Sequence, residues 1–203
     1  MLKTLTYLAL WTSILILFTK NEANAHLNHT HTHETHISFI ENGGQWHENV
    51  LYKGSLNGLN TIFLEKQAFT FVYFDKEDMK NMHDFSQATE SEKAKYCMKG
   101  HSYKMNFLNS KTPTVVKGMD KHKAYHNYFL GNDSKKWARK VGVYEGIFYE
   151  NLYQDIHLNA YSAHNHLKYD FIVDANADAS QIALEYKGTD RMTLQNGLSR
   201  IHI

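Results

Sequence analysis

Ile156-His157-Leu158-Asn159-Ala160-Tyr161, then Ser162-Ala163-His164-Asn165-His166, then Leu167-Lys168-Tyr169-Asp170-Phe171: two alternating runs flank a short polar break. Alternation at every second residue places one side-chain set on each face of a strand, and the break through Asn165 is short enough for a hairpin. The pair therefore reads as a β-hairpin with one buried face. Outward in both directions the texture repeats. Strand-like runs are expected at Val50 to Leu56, Thr61 to Glu65, Phe69 to Phe74, Ser102 to Leu108, Thr114 to Lys117 and Tyr144 to Tyr149. Downstream they are expected at Gln181 to Tyr186, Met192 to Gln195 and Leu198 to Ile203, the last two joined by Asn196-Gly197, the residue pair of a type I′ turn. The strands do not alternate with helical patterns, so the expected fold is mainly β, an antiparallel β-sandwich-like domain of two sheets with few or no helices.

The first residues belong to a different class. Lys3 precedes an uncharged apolar run from Leu5 to Phe18, followed by Lys20, Glu22 and Ala23-Asn24-Ala25. That is the order of a signal peptide over residues 1–25, and the run is short of the roughly 20 apolar residues a membrane helix needs. The expected localisation is secreted, extracellular or at the cell surface, with no transmembrane segment in the mature chain. Removing residues 1–25 leaves 20 Lys+Arg and 20 Asp+Glu among 178 residues. A formally neutral chain argues against nucleic acid or anionic membrane as the main partner. With Cys97 alone, no internal disulfide is available for extracellular stability.

Residues 26–36, HLNHTHTHETH, are too polar to pack and read as a flexible mature N-terminus ahead of a β-rich domain over residues 37–203. His29, His31, His33 and His36 are candidate metal ligands, because neutral imidazoles suit zinc or copper, and a flexible tract would hold either weakly. Residues 75–99 are charged, lack strand character and read as an exposed excursion. An apolar strand ending at Ile203 leaves an unpaired edge, from which a longer parent protein is expected.

Other candidate chemistry is sparse. Glu41, Asp155 and Asp170 are available for acid–base work, but their spacing does not force any two together. Asp174-Ala175-Asn176-Ala177-Asp178 resembles the start of a calcium loop, yet Ala179 replaces the required sixth-position Gly, so a turn between strands is expected. His164-Asn165-His166 lacks the helix that a nuclease of that motif needs. The 13 Tyr, 11 Phe and 3 Trp are expected mainly in the core, although Tyr and Trp also suit a sugar platform.

Four stretches in order carry a family resemblance. Phe39-Ile40-Glu41-Asn42-Gly43-Gly44-Gln45-Trp46 is followed by Asn127-Tyr128-Phe129-Leu130-Gly131-Asn132-Asp133 with Trp137. Then come Tyr149-Glu150-Asn151-Leu152-Tyr153-Gln154-Asp155-Ile156 and Leu167-Lys168-Tyr169-Asp170-Phe171-Ile172-Val173. Together they resemble an uncharacterised N-terminal domain of large secreted Bacteroidetes surface proteins with SBBP (seven-bladed propeller-type) repeats and gliding-motility-associated or sorting C-terminal segments. The resemblance implies downstream β domains of the same protein as partners and brings no catalytic residues. The leading expectation is a non-enzymatic structural or adhesive module, with surface glycans or matrix proteins as further partners and no cofactor. The alternatives are an extracellular carbohydrate-active enzyme module and metal capture by the His-rich tail.

Overall fold

The computed structural model describes residues 36–56, 60–78, 89, 99–111, 115–134, 137–164, 166–196 and 198–203. Residues 1–25, His29, His31, His33, Cys97, Asn165, Gly197 and most of 75–99 lie outside these. Twelve strands follow in order: β1 Phe39–Glu41, β2 Val50–Ser55, β3 Thr61–Glu65, β4 Ala68–Phe74, β5 Gly100–Leu108 and β6 Val115–Tyr128. Then come β7 Ala138–Tyr153, β8 Ile156–Ala163, β9 His166–Val173, β10 Ala183–Lys187, β11 Arg191–Gln195 and β12 Leu198–His202. A helical turn at residues 76–78, a 3-10 position at Ser134 and a 3-10 turn at Ala179–Gln181 are the helical pieces among the described residues.

The expected hairpin is present: Ile156 pairs with Val173 and Ala163 with His166, while Ile156, Leu158 and Ala160 are buried. Asn196, with a φ of 51°, sits in the expected tight turn between β11 and β12. Three expectations are corrected. Of the run expected at Thr114 to Lys117, Thr114 lies outside the described residues and Val115 to Lys117 is the beginning of the longer β6; Tyr144 to Tyr149 is the middle of the longer β7, and the strand expected from Gln181 starts only at Ala183 after the 3-10 turn. The short β1 is an addition.

Ten strands form a single antiparallel sheet in the order β10-β5-β4-β3-β2-β1-β7-β8-β9, with β6 also on β7. β7 organises the sheet. β6 runs along one of its edges, from Tyr128 opposite Ala138 to Val115 opposite Glu150. The other edge is shared: β1 pairs at Val143 and Tyr144, and β8 takes over at Gly146. Two arms thus leave the same edge of one strand and curl over to face each other, so the sandwich-like layers are two halves of one continuous sheet.

Aromatic rings close the arms. Phe69 on β4 meets Tyr149 on β7 at 5.8 Å and Tyr169 on β9 at 6.0 Å, while Phe107 on β5 meets Phe171 on β9 at 6.4 Å. Phe69 and Tyr149 are fully buried. Burying each such ring contributes about 1.5–3 kcal/mol, and edge-to-face packing adds to that. Two buried tyrosines use their hydroxyls to tie β7 across the core. Tyr149 donates to the Glu65 carbonyl at 2.9 Å, and Tyr153 donates to the Ala183 carbonyl at 3.1 Å. The outer edge of β6 carries Lys117, Lys121 and Lys123 and breaks register between Lys121 and Tyr125, features that discourage edge-to-edge pairing. β11 and β12 form a separate two-stranded sheet that packs Ile201 against the core.

Tyr144 lies across two glycines at the branch. A Cβ on Gly118 would come 2.3 Å from its ring, and one on Gly142 would come 2.7 Å from it. The ring is held by its hydroxyl on Glu41 Oε2 at 3.3 Å and by an edge contact with Tyr52 at 5.8 Å. Gly118→Ala is therefore expected to destabilise by about 1–3 kcal/mol, the usual cost of overpacking. In a Tyr144→Ala background the penalty should shrink, with a coupling above about 0.5 kcal/mol in a urea-denaturation double-mutant cycle. Additive effects would mean that the ring does not fill that space.

Candidate functional site

The resemblance-bearing stretches are largely taken up by architecture. In the loop after β1, Asn42 donates through Nδ2 to the carbonyls of His47 (3.0 Å) and Val50 (2.7 Å). Its Oδ1 accepts from the amides of Gly44 (3.0 Å) and Trp46 (3.2 Å). Gln45 adds a bond from Nε2 to the Glu41 carbonyl at 2.7 Å. Between β6 and β7, Asn127 Oδ1 accepts from the Lys140 amide, and the Trp137 indole donates to the Gly131 carbonyl. Tyr149, Leu152, Tyr153 and Ile156 are core.

The expected acid–base candidates do not come together. Glu41 accepts from Tyr144, Asp155 from Gln154 in the β7–β8 turn, and Asp170 from the Tyr161 hydroxyl at 2.7 Å on the exposed face of β9. The Asp174–Asp178 stretch is a turn in which Asp178 caps the 3-10 turn, its carboxylate held below the usual range by the Ser180 hydroxyl and amide. Glu185 lies apart on β10, where it pairs with Lys187. No helix among the described residues is long and apolar enough to cross a membrane.

Several concavities open on the described residues, and two of them carry the candidate groups. The first is a mouth of about 280 Å³ between the arms, walled by Phe71 and Tyr73 of β4, Tyr103 of β5, Tyr169 of β9 and Tyr186 of β10, with Asn60 and His166 at its polar parts. Phe71, Tyr103 and Tyr73 form a ring stack, with centroids 4.7 and 6.1 Å apart. The hydroxyls of Tyr103 and Tyr73 neighbour one another, as do those of Tyr186 and Tyr169, and Tyr169 donates to Met105 Sδ at 3.6 Å. Burial and those neighbouring hydroxyls push Tyr103 and Tyr186 well above the ordinary tyrosine range. Among the described lining residues there is no Asp, Glu, Lys or Arg, so the mouth offers rings and neutral hydroxyls.

The second is a groove of about 380 Å³ on the outer face of β7 and β8, over Gly146 and beside Phe148, Asn159 and Tyr161. Its polar end is Glu145, contacted by His36 and His122. Of the four expected metal ligands, His36 is the one within the described residues. Among those residues no three His, Cys, Asp or Glu side chains already surround a common point that would hold an ion. No local pattern in the sequence marks His122 or the tyrosine mouth, because register alone assembles both.

Two outcomes follow. Asn42→Ala should cost about 1 kcal/mol, because four loop carbonyls and amides, two of the bonds part-buried and two exposed, lose their partner; a stability unchanged in chemical denaturation would contradict this role. Tyr52 is pushed up to about 12, mainly by burial and then by Glu41. A tyrosine whose pKa is raised by folding contributes stability that is complete below the unfolded value and lost as pH rises through the folded one. Denaturation midpoints should therefore hold steady below about pH 10 and fall above it, with the buried tyrosinate absorbance appearing together with unfolding.

Neither a curated protein nor a solved structure matches the chain. One family model does, and it runs from the first residue of β1 to the last of β12. Over residues 39–202 the chain matches the Domain of unknown function (DUF7948), and it belongs to that family.

Proposed function

We propose that the chain is a non-enzymatic recognition module, structural or adhesive, placed at the N-terminal end of a secreted or cell-surface multidomain protein of the SBBP-repeat, gliding-motility-associated kind found in Bacteroidetes. The observation that carries this reading is the tyrosine mouth: aromatic walls and hydroxyls in a concavity without a charged aliphatic side chain among its described lining residues. Such a surface suits an uncharged ligand, a neutral glycan or a polar-aromatic segment of a matrix protein, held by ring contacts and hydroxyl exchange. Separate partnerships for Glu41, Asp155 and Asp170 favour binding over hydrolysis, since glycoside chemistry uses two carboxylates across one bond. The signal-peptide order of residues 1–25 supports export.

The test is a glycan array and a matrix-protein panel probed with the protein and with Tyr73→Ala and Tyr186→Ala, both only partly buried. A neutral ligand should bind, and loss of either ring should weaken it by about 2 kcal/mol or more, the cost of an anchoring aromatic. Panels negative throughout, or a ligand indifferent to both substitutions, would count against the mouth as the recognition surface.

A further inference from the structure

Glu145 occupies a singular position on β7, between Tyr144, the last residue paired with β1, and Gly146, the first paired with β8. Each of its carboxylate oxygens meets an imidazole. His36 Nδ1 lies 3.0 Å from Oε2, and His122 Nε2 touches Oε1. The three residues come from three separate segments: the lead into β1, β6 and β7.

The His122 contact is not a hydrogen bond. Its Nε2 is shielded from solvent and has no hydrogen-bond partner, although a Glu145 carboxylate oxygen touches it. A buried ring nitrogen left in that state costs about 1–3 kcal/mol, and an ion that accepts its lone pair is one way to satisfy it. Asp120, with a φ of 51°, lines the same groove.

We propose that His36, His122 and Glu145 form a binding site for a divalent transition ion of the zinc class. Two neutral imidazoles and a carboxylate are the donor set that zinc accepts, with room left in its coordination for water or a ligand in the groove. The donors stand on different oxygens and do not yet surround one point. Binding requires His36, whose side chain is half exposed, to turn inward. The site is separate from the tyrosine mouth, so its failure leaves the recognition reading untouched. It differs equally from capture by the tail, in which His36 would act with His29, His31 and His33.

Calorimetric titration of the chain with Zn2+ distinguishes these. The expected result is one equivalent bound, with His36→Ala, His122→Ala and Glu145→Gln each weakening it at least about tenfold, a loss typical even of groups that only support a ligand. Combined His29→Ala, His31→Ala and His33→Ala substitutions should retain that equivalent. Thermal melting without metal verifies that each variant is folded, and the exposed His36 provides a variant with little bearing on the core. Absence of Zn2+ binding overturns the proposal. So does binding abolished by the tail substitutions while His122→Ala and Glu145→Gln leave it intact.

Discussion

A strand has two edges, and β7 uses one of them twice. That constraint shapes everything else in the domain. With β6 occupying the other edge, β1 and β8 must follow one another along the same side, and the sheet has to divide there. Two arms diverging from one edge present their apolar faces to each other, and burying those faces is the dominant favourable contribution to folding. Tyr149 shows the economy of the arrangement: its ring fills the gap between arms while its hydroxyl satisfies a carbonyl of β3. Two of the concavities are by-products of the same geometry. One opens where the arms stay apart, and the other lies over the glycine at which the second arm begins.

How much of this was legible in the sequence depended on whether a strand was buried on one face only. β8 and β9 alternate cleanly because Leu158 and Ala160 point inward while His157 and Asn159 face out, so their period was visible. β6 is the opposite case. Exposed along most of its length, it reads Lys117-Gly118-Met119-Asp120-Lys121-His122-Lys123 with no apolar period, and only β7 beside it makes it a strand. β1 has three residues, too few for any period to show. The division of β7 between two partners is a matter of register, which local sequence does not encode.

The candidate sites were less legible for the same reason. Tyr73, Tyr103 and Tyr186 sit on three strands, and their convergence follows from β4 pairing with β5 and β5 with β10. As separate residues they look like ordinary strand aromatics. His36 stood out as the end of a histidine-rich tract, whereas its partner in the fold, Glu145, lies in an apolar run far along the chain. The stretches that carry the family resemblance serve mainly as loop scaffolds and core, as Asn42, Trp137 and Tyr149 do. The groups proposed for recognition lie largely outside those stretches.

The most direct measurement of the curled-sheet account is a nuclear Overhauser spectrum of the aromatic rings. Contacts within one arm, such as Phe69 with Phe107 at 5.0 Å, arise from strand pairing alone. Contacts across the arms, Phe69 with Tyr169 and Phe107 with Phe171, require the sheet to close on itself. The account predicts both sets. Cross-peaks within the arm together with none across it, in a folded sample, would contradict it.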